Sequence, residues 1–134
     1  MSSDVIFQLQ KAVYGVLSAD STLTAMVTGI YEYVPQGTGF PYLVVNEITA
    51  ADWSTKTSNG ASCSLTLKAY SRDMQDTALL GIISRATDTL RGATIIMTGH
   101  TITNLTFQNI EIKRMADGVT YEAAVKFKAL TEEG

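Results

Sequence analysis

Apolar residues recur at three- and four-residue intervals near the start of the chain: Val5, Ile6, Leu9, Ala12, Val13, Val16 and Leu17. That period lays one apolar stripe along a helix. Ser3 or Asp4 offers a side-chain oxygen to cap it. Asp20 opens a second short helical turn through Met26, which Gly29 stops. The period then changes to two. Ile30–Val34 is short and β-prone, and Pro35-Gln36-Gly37-Thr38-Gly39 reads as a turn. Tyr42–Thr49 is a strand with Pro41 at its entrance, where a missing N–H does least harm. Ala50–Gly60 breaks the pattern as a polar loop holding Trp53. Ser62–Ser71 alternates, with Cys63, Leu65, Leu67 and Ala69 on one face and Ser64, Thr66, Lys68 and Tyr70 on the other.

Helical spacing returns after Asp73, which caps a helix whose stripe is Met74, Ala78, Leu79, Ile82, Ile83, Ala86 and Leu90. Arg85 and Arg91 suit the negative end of its dipole. Gly92 ends it in a left-handed conformation, and Gly81 marks close packing against the sheet. Thr94–Thr98 is a strand, Gly99-His100 a tight turn, and Thr101–Lys113 a long alternating stretch that includes Leu105 and Phe107. Asp117-Gly118 predicts a hairpin. In the last strand Val119, Tyr121, Ala123, Val125, Phe127 and Ala129 face one way. The order helix, three strands, helix, three strands predicts one α+β domain over residues 1–134. It would be a mainly antiparallel β-sheet with two main helices packed on one face. The second face would carry Thr, Ser, Lys and Glu. The eighteen threonines suit such partly wet strands.

Composition narrows the functions. A net charge of −3 argues against a bulk electrostatic grip on nucleic acid. The distribution is uneven: through Thr55 one base meets five acids, whereas from Lys56 onward nine bases meet eight acids. Such polarity suits head-to-tail contacts. One cysteine closes no intrachain disulfide, and one histidine builds no His-rich metal site. The chain opens without a basic start and apolar run, and its apolar runs fall far short of the ~20 residues that span a bilayer. A soluble protein made inside a cell is expected, with no membrane partner.

Catalytic signatures are sparse. No Gly-x-Ser-x-Gly elbow occurs. Cys63 and His100 could form a nucleophile and base, but Cys63 alternates with serines as a small core residue does. Glu47 and Asp52 could form a carboxylate couple, but they read as surface acids. Gly37-Thr38-Gly39 lacks the following helix that a phosphate cradle needs. Lys113, Arg114, Lys126 and Lys128 interleave with Glu111 and Glu122, which predicts cross-strand pairing. Trp53 stands apart. A tryptophan in a polar loop either folds back as a plug or anchors a partner.

The ordered set Ile30-Tyr31-Glu32-Tyr33-Val34-Pro35-Gln36, Phe40-Pro41-Tyr42-Leu43-Val44-Val45, Asp52-Trp53-Ser54-Thr55-Lys56-Thr57 with Gly60, and Leu65-Thr66-Leu67 resembles the bacteriophage tail-completion (tail terminator) family. That family also occurs in prophages and gene transfer agents. Gly99-His100, Asn104-Leu105, Asp117-Gly118-Val119-Thr120-Tyr121 and Phe127-Lys128-Ala129-Leu130-Thr131-Glu132 continue the likeness, which spans about Val5 to Glu132. Ala69 and Thr106 depart from the bulkier and basic residues frequent in the family. The resemblance implies a structural, non-enzymatic virion protein without cofactor or metal. It would cap the tail tube, end its elongation and form the docking surface for the head connector. It also implies a homo-oligomer, a hexameric ring, with the tail tube protein and the head connector or stopper as partners. DNA would pass through without specific binding. The protein would reside in the host cytoplasm during assembly and then at the tail–head junction of the virion. Trp53, Lys56 and Thr57 would engage a neighbouring subunit or the tube. Another head–tail joining protein, a stopper or adaptor, is the alternative.

Overall fold

The computed structural model describes residues 4–52, 60–72 and 76–133. Its elements are α1 (Asp4–Ser18), α2 (Ser21–Met26), β1 (Ile30–Tyr31), β2 (Tyr42–Asp52), β3 (Gly60–Ser71), α3 (Asp76–Gly92), β4 (His100–Arg114) and β5 (Tyr121–Glu133). The strands form one five-stranded sheet in the order β1-β2-β3-β5-β4. Every pairing is antiparallel except β1 with β2. The predicted α+β architecture is therefore the observed one. Both long helices rest on one face, α1 over β1 and β2 and α3 over β3 and β5.

The apolar stripes become the core. Val5, Leu9, Val13 and Leu17 of α1 are fully buried, as are Leu79, Ile82, Ile83, Ala86 and Leu90 of α3. They meet Leu43 and Val45 of β2, Cys63, Leu65, Leu67 and Ala69 of β3, and Ala123, Val125, Phe127 and Ala129 of β5. Burying a side chain such as Phe127 or Leu65 contributes about 1.5–3 kcal/mol. Ser3, Asp73 and Met74 lie outside the described residues, so the predicted caps at Ser3 and Asp73 do too.

Strict alternation slips at three places, and each slip is a β-bulge. A strand keeping its apolar residues on one face spaces them by two. Val45 to Ile48, Ile102 to Leu105 and Phe107 to Ile110 are each three apart. The register shifts between Val45 and Glu47, between Ile102 and Asn104, and between Phe107 and Asn109. One extra residue at each bulge returns the next apolar side chain to the helix side.

Several local expectations need correction. Thr94–Thr98 contributes an isolated bridge, Met97 with His100, and not a full strand, before the turn at Gly99. His100 is the first residue of β4. Ile30–Val34 shrinks to two paired residues. Ala50–Asp52 and Gly60 belong to strands, because they find partners on β3 and β5. The connection after β4 spans residues 115–120 and is closed by Met115 N–H to Thr120 O at 2.7 Å. Val119 is thereby left exposed outside β5. Gly118 supplies the positive φ of that turn (+77°). The Asp117 carboxylate accepts the Val119 and Thr120 N–H groups and the Thr120 hydroxyl. Gly29 does not terminate α2. The helix gives way to extended backbone at Val27, and a Cβ at Gly29 would strike the Tyr31 hydroxyl at 2.5 Å. Gly81 faces the Met26 methyl of α2, not the sheet, and Gly92 has no positive φ.

Arg85 serves a different purpose from dipole compensation. Its guanidinium donates to both oxygens of Asp20, at 2.8 and 3.0 Å. Thr89 donates to the same carboxylate. Asp20 meanwhile caps α2 by accepting from Thr22 and Leu23 N–H. One carboxylate thus ties the start of α2 to the middle of α3. Arg85 and Thr89 hold it well below the usual carboxylate range. A depressed folded-state pKa contributes stability in full above the unfolded value, and that stability is lost as pH falls. Thermal unfolding should therefore show Tm steady from neutral pH to about 4, then falling. Asp20→Asn, which keeps a capping oxygen but loses the charge, should lower Tm by several degrees at pH 7 and flatten that acid limb.

Candidate interaction surface

Residues that could do chemistry are kept apart. Cys63 points into the core opposite Ala129, and burial pushes its thiol pKa up. His100 pairs with Glu133. Those partners, Ala129 and Glu133, are four steps apart along β5, about 13 Å on a strand, so the Cys63–His100 couple does not form. Glu47 and Asp52 lie five residues apart on β2, and Glu47 is held at 2.6 Å by Lys68. No group of three His, Cys, Asp or Glu converges as a metal site among the described residues. Gly37-Thr38-Gly39 runs into a cis Phe40–Pro41 bond and then β2, without a helix. None of the helices among the described residues is long and apolar enough to cross a membrane.

The face of the sheet away from the helices is less polar than its sequence suggests. At one end Tyr42 stacks on Tyr70 with ring centroids 5.3 Å apart, and Phe40 leans on Tyr42 at 5.1 Å. The Arg72 guanidinium lies 4.4 Å above the Phe40 ring. Its Nε donates to Thr120 Oγ1 at 3.1 Å, and a second nitrogen sits 3.7 Å from Asp117. Arg72 therefore joins the turn before β2 to the turn before β5. Tyr70 donates its hydroxyl to Glu122 at 2.8 Å, and Lys113 reaches the same carboxylate at 3.6 Å. Val44, Thr66 and Glu122 are buried here although no helix lies above them. The pairing predicted for the cations holds for Lys113. Arg114 instead sits over the Tyr121 ring and donates to its hydroxyl. Lys126 and Lys128 lie opposite Asn109 and Thr106 on β4, not opposite carboxylates, and both are exposed.

Trp53, Lys56 and Thr57 lie outside the described residues. Their flanks are placed: Asp52 pairs with Ala61, so residues 53–59 connect two paired antiparallel strands. The sequence reading missed a second surface. Phe107, Ile110 and Ile112 of β4 stand opposite Phe127, Val125 and Ala123, hence on the helix side of the sheet. Neither long helix rests on β4 as it does on the inner strands, and these side chains remain exposed. The three-residue spacings that mark the bulges were the available signal.

Comparisons with known proteins place this fold in a family. The family model described as tail completion protein gp17 matches residues 11–132. The chain belongs to the tail completion protein gp17 family. A chain from the virion of a native gene transfer agent particle superposes with a TM-score of 0.90 at 27% identity, covering 98% of this chain and 99% of that one. Bacteriophage SPP1 gp17 shares the fold, with a TM-score of 0.64 at 20% identity over 93% of this chain and 89% of its own. No curated protein sequence matches. The resemblance drawn from the ordered motifs is thus a family relationship.

For this tail completion protein the Arg72 contacts are a structural clasp. Arg72→Ala should lower stability by about 1 kcal/mol, the scale of an exposed cation–π contact with an added hydrogen bond, measured by urea unfolding. The Cys63 thiol should resist alkylation in the native protein and react on unfolding. Rapid native labelling would show that β3 does not bury it.

Proposed function

We propose that this chain caps the tail tube of a phage or gene transfer agent, ends its elongation and presents the surface on which the head connector docks. The observation that carries this reading is the family match over residues 11–132, joined to the near-complete superposition on a chain of a gene transfer agent virion. In this reading copies of the chain form a ring, six-fold as in the family. The ring sits between the tail tube protein and the head connector or stopper, and DNA crosses it without specific contacts. The protein assembles in the host cytoplasm and ends at the tail–head junction of the virion.

The uneven charge supports head-to-tail assembly. The stretch from β1 through β2, residues 30–52, holds three acids and no base, whereas residues 111–128 hold four bases and three acids. A heterologous contact between unlike surfaces closes into a ring when its rotation allows.

Electron microscopy of particles from a producing strain lacking the gene tests the capping role. Overlong tubes, or filled heads separate from tails, are expected. Normal tails joined to heads would remove the proposal. Tails of normal length beside heads that lose their DNA would point to a stopper instead. Trp53, Lys56 and Thr57, on the connection between β2 and β3, are proposed to contact a neighbouring copy or the tube. Trp53→Ala should reduce the fraction of capped tails, and unchanged capping would discard that assignment.

A further inference from the structure

Residues 93–98 cross from the end of α3 to the start of β4 as a strap outside helix and strand. Their side chains alternate. Ile95 packs partly on the core and Met97 is 8% exposed, whereas Thr94 and Thr98 are exposed and Ile96 is 80% exposed. One backbone bridge, Met97 with His100, ties the strap to a strand. A connection anchored by one buried side chain and one bridge has few interactions to lose when it lifts.

The strap also has room on both sides. Toward α1, a groove of about 420 Å³ separates Thr94, Ile96 and Thr98 from Lys11, Ala12 and Gly15 of the helix. Toward β4, a second groove of about 300 Å³ is lined by Thr94 and Ile95 of the strap and by Ile102 and Leu105 of the strand. Close packing along either flank would hold the strap down, and both flanks lack it. Glycines stand at both ends. Gly99 holds a φ of +78°, and Gly92, the last residue of α3, has open space where a Cβ would stand. A few such terminal residues can absorb the backbone rotations of a hinge.

We infer that residues 93–98 form a hinged lid, latched by Met97, that opens without unfolding of the domain and lengthens the apolar row of β4. Ile102 and Leu105 stand opposite Thr131 and Ala129, on the helix side of the sheet and in line with Phe107, Ile110 and Ile112. The last three are exposed with the lid down. Ile102 and Leu105 are partly buried and share a groove with the lid. Lifting the lid withdraws Thr94 and Ile95 from that groove and adds Ile102 and Leu105 to the exposed row. The sheet keeps its register meanwhile, because β4 pairs along its length with β5 and not with the strap. Opening therefore costs the burial of Met97 and one bridge, far less than the core that α1 and α3 close over β2, β3 and β5. The lid sets how much apolar surface the chain shows, and it does so whether or not the chain caps a tube.

Native-state thiol labelling tests the lid, with buried Cys63 as the internal reference for the core. Met97→Cys is treated with iodoacetamide at urea concentrations below the unfolding transition, and the two thiols are followed separately by peptide mass spectrometry. The thiol at position 97 should react about a hundredfold or more faster than Cys63, at a rate that urea leaves unchanged, because local opening exposes little surface and unfolding exposes much. Ile95→Cys, which leaves the latch in place, should behave in the same way. Ile102→Cys reads the uncovering of β4 and should also react independently of urea. Gly99→Val strains the positive φ of the pivot. Added to each of these variants, it should speed the reaction at positions 95, 97 and 102 roughly tenfold and leave Cys63 protected. Reaction at position 97 in step with Cys63, with the same dependence on urea, would overturn the lid. A thiol at position 102 that reacts only together with Cys63 would overturn the uncovering of β4. A Gly99→Val change that speeds every thiol equally would show that the pivot belongs to the global fold, and would overturn the hinge.

Discussion

A single-layered sheet has to dispose of two faces, and here the available helix covers only part of one. β2, β3 and β5 lie under α1 and α3, and their helix-side residues are buried almost without exception. β4 extends the sheet by one strand beyond that cover while keeping the apolar alternation of a strand that expects a partner. The folded chain therefore keeps exposed apolar side chains that its own helices do not reach. Apolar rows of this kind mark contact sites on otherwise soluble surfaces. The bulges sharpen the point, because each one restores a side chain to the helix side instead of letting it turn to the wet face.

The opposite face solves its problem differently. Among the described residues no second layer covers it, and long side chains close it locally. Tyr42, Tyr70 and Phe40 lie flat over one end, and Arg72 bridges the two turns there. Glu122 is buried on this face, where the Tyr70 hydroxyl donates to one oxygen and the Lys113 ammonium lies 3.6 Å from the other. Removing one partner of such a buried group costs more than the net strength of the hydrogen bond. On the helix side, Asp20 plays the comparable part. It is one nearly enclosed carboxylate that serves a helix cap and a long-range ion pair together. These two polar clusters fix elements that hydrophobic packing alone would allow to slide.

The family relationship sets the frame for function, that of a tail completion protein. Among the described residues Cys63 and His100 lie apart, and Glu47 is paired with Lys68. The two sides of this sheet differ: α1 lies over β1 and β2, whereas β4 carries an exposed apolar row.

The sequence by itself determined the helices and most strands. The 3.6-residue stripes of α1 and α3 and the two-residue alternation of β3 and β5 each demand a single buried face, and a local period suffices to state that demand. The ordered motifs also pointed to the right family. Local pattern failed where distant residues compete. Thr94–Thr98 has strand-like composition but found no edge to pair with beyond one bridge. Asp117-Gly118 opened a six-residue connection because Asp117 could accept hydrogen bonds from the backbone beyond it. Arg85 left its expected dipole role because Asp20, sixty-five residues away in sequence, came within reach. Which apolar row stays uncovered was likewise beyond the sequence. Exposure depends on how many strands two helices can span, and only the order in which the strands assemble decides which one lies outside that span.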